Sequence, residues 1–305
     1  KNVNIYSLTV INHYLINFLK LNYYSLTLVY SLLGAIGLIL FNQVLQDIVK
    51  NKSSFVKIVS QLIILFPSFS FWSSGIGKDA ISFFIVLFFL NFLYFKRYNF
   101  ILLAIFLSLF LLMVRSHIGI TLILAITVHM VFNLNLSKKV IFLVFLLCVP
   151  IGFGGLIMFV GIRMPDIINL TFISKILLIA EQQRNYLLNT PSGFESQNLS
   201  IFYLMFNYLF NPLTNFSGLK NILISFENIS HIILIMVLII FGTRNFNILD
   251  KKNIFAAAFF IAGLIFLSLF SANYGIFWRQ KTMIMPLLYF LILNFTKISK
   301  KDFKK

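Results

Sequence analysis

A chain of 305 residues that is 60% hydrophobic and only 11% charged, with mean hydropathy +0.95, is not a soluble domain, where about a quarter of residues carry charge. Its apolar runs are continuous rather than alternating, which excludes a β-barrel and leaves helical membrane spans. A net charge of +17 would point to nucleic acid in a soluble chain; here, with basic pairs in alternate gaps, it reads as positive-inside bias and attraction to membrane lipids, and no nucleic-acid partner is expected.

A bilayer core about 30 Å thick needs roughly 20 helical residues, fewer where flanking side chains snorkel. Nine spans are predicted, at 23–45, 56–72, 80–95, 99–114, 118–133, 140–160, 229–243, 254–272 and 282–296. The chain starts at Lys1 with no signal-peptide pattern, so one or more N-terminal spans are expected to be missing. One set of gaps holds Lys50, Lys52, Lys57, Lys96, Arg97, Lys138, Lys139, Arg244, Lys251, Lys252 and five tail lysines, 15 of the 25 basic residues. The other 10 are spread over far more residues, which puts the dense side and the C-terminus in the cytoplasm.

Between the second and third spans runs Phe66-Pro-Ser-Phe-Ser-Phe-Trp72-Ser-Ser-Gly75-Ile-Gly77-Lys78-Asp79. Its glycines permit a tight turn, Asp79 is expected to cap the next helix, and Lys78 beside that N-terminus attracts an anion. A Walker loop is excluded, because Trp72 stands five before Gly77 and Asp79 replaces the required Ser or Thr. The plainer reading is a capped turn with an interfacial Trp. Next, Arg115-Ser116-His117 closes an outward-running helix. Arginine suits bidentate phosphate contact and histidine suits proton transfer near neutrality, against the plainer reading of a snorkelling arginine. His129, near the other end of its helix, reads as structural, and Cys148, mid-span, as a small packing residue.

The segment 161–228 is read as one long extracytoplasmic loop within a single membrane domain, 1–305. Inside it, Ser200 to Pro212 is apolar but only 13 residues long, which suits an interfacial or re-entrant helix. Glu181, Arg184 and Glu195 are its candidate functional charges: a carboxylate near a sugar hydroxyl suits a general base, although loop charges are more often just solvated. Glu227 stands four before His231, the spacing of an i,i+4 pair. Further on, Arg279-Gln280-Lys281 follows Trp278 and precedes Pro286. These two outward cations run against the positive-inside rule, and their plainer reading is an aromatic-belt loop with interfacial basics. No zinc-protease helix, cysteine cluster or nucleophile elbow occurs, so neither metal nor cofactor is expected.

Phe71-Trp-Ser-Ser-Gly-Ile-Gly-Lys78-Asp-Ala80, Arg115-Ser-His117, Leu209-Phe-Asn-Pro-Leu213, Phe226-Glu-Asn228 and Asn273-Tyr-Gly…Arg279-Gln-Lys281…Pro286 occur in this order. Together they resemble the polytopic O-antigen polymerase-like (Wzy-like) proteins of bacterial surface-polysaccharide clusters. The resemblance implies an all-α fold similar to other membrane glycosyltransferases (GT-C-like) in the bacterial inner membrane. It implies an inverting glycosyl transfer from undecaprenyl pyrophosphate to a lipid-linked repeat unit, with the lipid-linked oligosaccharide as partner and a chain-length regulator as a further one. Arg115, Arg279, Lys281, Lys78, Asp79 and Arg184 are then the substrate-binding candidates, and His117, Glu195 or Glu181 the acceptor of the hydroxyl proton. The rivals are a transferase using a polyprenyl-monophosphate sugar and a polysaccharide flippase. A polymerase calls for an outward cavity lined by Arg115 and Arg279.

Overall fold

The computed structural model describes residues 3–97, 101–133, 172–190, 192–194, 199–213, 218–242 and 252–296. Among them every regular element is a helix: α1 (Val3–Leu19), α2 (Tyr23–Val49), α3 (Ser54–Ile64), α4 (Pro67–Ser73), α5 (Lys78–Tyr94), α6 (Ile101–Val114), α7 (Ser116–Asn133), α8 (Phe172–Leu188), α9 (Ile201–Phe210), α10 (Leu219–Gly242), α11 (Ile254–Phe270) and α12 (Tyr274–Phe295). Among the described residues four helical stretches are long and apolar enough to cross a bilayer: α2, Ser54–Ser73 (α3 with α4), Asn221–Ile240 within α10, and α12. Helices also occupy the expected positions of the third, fourth, fifth and eighth spans, while 140–160 lies outside the described residues.

Local chemistry sets several boundaries. Asn22 and Ser25 form a reciprocal capping box at α2, Ser53 caps α3, and Ser200 caps α9. Pro67 opens α4 at a position where its missing N–H costs nothing. The end of α5 is a Schellman motif: Lys96 is left-handed (φ 52°) and Arg97 N–H donates to the Phe92 carbonyl at 3.0 Å.

Two spans start earlier than the sequence predicts, at Leu219 and Tyr274 rather than 229 and 282. Charge is the usual signal that a span has ended, and here the charges are absorbed inside the bundle. The Glu227 carboxylate accepts from Ser68 N–H at 3.3 Å and lies 3.4 Å from His231 Nε2, the expected i,i+4 pair. Lys281 donates to Asn228 Oδ1. With these partners the helices run through residues that read as loop. The predicted loop is likewise largely helical where described, since α8, α9 and the first turns of α10 fall within 161–228.

The twelfth helix is the axis of the packing. Of its apolar window 83% is buried, against 28%, 33% and 22% for the other three long stretches, so those leave apolar faces uncovered and α12 is enclosed. Without a hydrophobic drive between helices in lipid, close approach depends on small residues. A β-carbon on Gly34 of α2 would lie 2.3 Å from the Ser73 carbonyl at the end of α4, and one on Gly119 of α7 would lie 2.7 Å from Leu112 Cα of α6. Gly119 thus lets α6 and α7 fold back tightly on either side of Arg115.

Two distinct ends result. At one, Lys52 Nζ donates to the Leu293 carbonyl and to Thr296 Oγ1 at 3.0 Å, placing a cation on the C-terminus of α12. Tyr94 donates to Asp47 at 2.7 Å at this end, with Lys252 over the Tyr94 ring. Burial lowers the Lys52 ammonium to about 8 from its ordinary 10.5. The unfolded chain therefore holds more protons between those two pH values, and stability rises with pH across that window. Lys52→Met is expected to remove this rise, as read from melting temperatures of purified protein at pH 7.5 and 9.5.

Candidate functional site

The opposite end gathers the N-terminal turns of α5, α7 and α12. Arg115 is the single residue between α6 and α7, its N–H donating to the Leu111 carbonyl and its own carbonyl accepting from Gly119. Its side chain turns inward: Nη1 donates to Asp79 Oδ1 at 2.6 Å and lies 3.6 Å from Met283 Sδ of α12. Asp79 sits in the first turn of α5, where negative charge is favoured, but it makes no side-chain cap; its carboxylate is spent on Arg115. The expectation of a capping Asp79 is corrected accordingly. The short connection expected between α4 and α5 is present at 74–77, but it makes no use of glycine's freedom: Gly77 is extended (φ 171°), Gly75 is not left-handed, and a β-carbon at either would meet nothing.

Gln280 of α12 bridges to His117 of α7, its Nε2 lying 3.3 Å from His117 Nε2. Lys78, half-buried, lies within electrostatic reach of both Arg115 and His117. So does the hydroxyl of Tyr208 on α9 with respect to Arg115 and Asp79. The cluster around Arg115 therefore carries two cations and one anion, with Lys78 and Asp79 in the first turn of α5 and His117 in that of α7, whose dipoles add positive potential. Arg279 stands one position before Gln280, half-buried, its guanidinium 5.9 Å over the Trp72 ring and its Nε donating to the Gly275 carbonyl at 3.3 Å.

Short loops hold these pieces in place. Asn273 caps α12 by accepting from Ile276 N–H at 3.0 Å, and its amide donates to Thr190 Oγ1 at 2.6 Å. Residues 192–194 pair with 272–274 through Tyr274 N–H to the Ser192 carbonyl and Phe194 N–H to the Ala272 carbonyl. The Asn211 carbonyl accepts from Trp278 Nε1 at 3.3 Å and the Pro212 carbonyl from Asn228 Nδ2 at 3.0 Å, which fixes the end of α9 against α10 and α12. Tyr208 packs its ring on Phe277 at 4.9 Å.

Lys78, Asp79, Arg115 and His117 are thus brought together, with Arg279 on the adjoining turn. Lys281 points elsewhere. It is 2% exposed and tied to Asn228, beside the Glu227–His231–Tyr289 network, where His231 Nδ1 and Tyr289 Oη are 2.5 Å apart. Arg184 donates to the Leu269 carbonyl at 3.0 Å, serving the C-terminus of α11, and burial lowers its guanidinium from the ordinary value. Glu181 is exposed on α8, and Glu195 lies outside the described residues. Sequence reasoning passed over Gln280 and Tyr208, one treated as a spacer between two cations and the other as one apolar position of a short helix. A cavity of about 600 Å³ opens at the other, lysine-rich end, lined in part by Asn42, Gln46, Asp47, Lys50 and Lys57, far from Arg115 and Arg279.

Apolar helices around a buried axial helix, with ionisable groups paired inside, define a helical membrane protein. No protein-family model, curated protein or solved structure matches the chain.

Proposed function

We propose that this chain is an inner-membrane polysaccharide polymerase, moving a glycan from undecaprenyl pyrophosphate to a lipid-linked repeat unit on the outer face. The observation that carries the reading is the meeting of Lys78, Arg115 and His117 where the N-termini of α5 and α7 come together, with Gln280 of α12 joined to His117. In such a transfer the acceptor hydroxyl attacks the anomeric carbon as the bond to pyrophosphate breaks. The proton passes to a base, and undecaprenyl pyrophosphate leaves with the bonding pair. Fixed cations and helix dipoles at that depth stabilise the departing charge without rearrangement. Among the described residues His117 is the candidate proton acceptor of this cluster, since Glu181 is exposed on α8 and Glu195 lies outside them. The orientation rests on the lysine-rich end facing the cytoplasm.

A flippase is the second reading, favoured by ionisable Glu227, His231 and Lys281 inside the bundle. Each has a protein partner, however, as expected of groups that join α4, α10 and α12. Reconstitution separates the readings. Vesicles holding the protein and lipid-linked repeat units on their accessible face should yield lengthened glycan and free undecaprenyl pyrophosphate. Movement of units across the bilayer without lengthening would overturn the polymerase.

A further inference from the structure

Of five buried polar atoms with no hydrogen-bond partner among the described residues, Tyr208 Oη and Gln280 Oε1 belong to the Arg115 neighbourhood; Ser271 Oγ stands at the end of α11, and Ser68 Oγ and His231 Nε2 lie beside Glu227. Tyr208 is 0% exposed and Gln280 7%, so water does not satisfy them from the bulk. A buried unpaired hydroxyl or amide costs free energy, and few such groups persist in a folded protein without a use. Both belong to the same neighbourhood: Tyr208 lies within reach of Arg115 and Asp79, and the other end of the Gln280 amide meets His117. Turning the amide over would only exchange which of its ends is bare.

We infer that Tyr208 and Gln280 are substrate-contacting groups of the Arg115 site, Tyr208 donating its hydroxyl proton to a phosphate oxygen and Gln280 accepting from a sugar hydroxyl. The inference rests on the proposed transfer and assigns a contact to each of two parts of its ligand, the pyrophosphate and a sugar hydroxyl. The chemistry of each group sets its role. A phenol within reach of Arg115, whose charge Asp79 only partly offsets, is a donor suited to the same anion that the guanidinium holds. An amide oxygen is an acceptor only, so its counterpart must donate, as a hydroxyl does and a phosphate diester does not. The two groups sit on different helices, α9 and α12, joined by the edge-on Tyr208–Phe277 contact and the Trp278–Asn211 bond. A ligand held by both would be gripped across that joint.

The test uses purified full chain in detergent with two soluble probes, farnesyl pyrophosphate and farnesyl-pyrophosphoryl glucose, read by titration calorimetry. Tyr208→Phe removes only an unpaired atom, so its melting temperature should stay equal to wild type or rise, while affinity for both probes falls about tenfold or more. Gln280→Met should weaken the sugar-bearing probe alone by a similar factor. Lys78→Met is the control, expected to weaken both. If Lys78→Met weakens binding while Tyr208→Phe and Gln280→Met bind like wild type, the inference fails and the cationic site stands. A drop of several degrees in the melting temperature of Tyr208→Phe would show a structural hydroxyl and likewise overturn it. No binding by the wild type overturns the inference and the cationic reading together.

Discussion

Arg115→Met alone is expected to deplete the protein from the membrane, because it leaves the Asp79 carboxylate largely buried with no counter-ion. The pair lies 2.6 Å apart, with side chains 10% and 16% exposed, and breaking a buried pair from one side costs about 3–5 kcal/mol. That cost belongs to the orphaned charge rather than to the attraction lost, so removing both partners should relieve it. The double variant Asp79→Leu/Arg115→Met is expected to restore abundance to near wild type, since apolar residues of similar volume replace buried ion pairs at little or no cost. Polymer should be absent from both strains. Immunoblotting of membranes beside a glycan gel separates the two roles of Arg115. Polymer made by the double variant would reduce the pair to a fold element.

The second large effect is expected from Arg279→Ala, and it should be purely functional. This guanidinium is half-buried, faces Trp72 and binds a backbone carbonyl, and among the described residues it pairs with no carboxylate. Its loss should cost the fold little, in line with the small worth of exposed or partly exposed cation–π contacts. Loss of one fixed group stabilising developing charge typically lowers the chemical step by about 100- to 1000-fold. Initial rates of glycan lengthening in vesicles give the measurement. A rate within about threefold of wild type would remove Arg279 from the site.

What could be read in the sequence follows from how each signal arises physically. Apolar length is written directly into the chain, so the helices at 23–49, 54–73, 78–94 and 254–270 stand close to their expected positions. The starts of α10 and α12 were misplaced for a single reason. A charged side chain normally marks the membrane surface, whereas Glu227 and Lys281 are carried inward by His231, Ser68 and Asn228. Only the Glu227–His231 spacing is local enough to show in the sequence; the Lys281–Asn228 contact joins residues 53 positions apart. Part of the site was legible by the same logic. Cations beside Trp, Gly and Asn at span ends were conspicuous, and Lys78, Arg115 and His117 do meet. The Arg115–Asp79 pairing was not legible, because capping is a local habit of aspartate and the fold brings a stronger partner from α6–α7. Gln280 and Tyr208 were hidden for a different reason. An uncharged polar residue in an apolar run draws notice only once its burial and its missing partner are known.

The most direct measurement is surface glycan length by gel, in cells deleted for this gene and complemented with the full-length gene. If the chain is a polymerase, the deletion carries single repeat units, the wild type restores a full ladder, and Arg279→Ala again gives single units at normal membrane abundance. Complete loss of surface glycan in the deletion, with lipid-linked units trapped inside, would contradict it and favour a flippase. Repeats lacking one sugar would contradict it in favour of a monophosphate-dependent transferase.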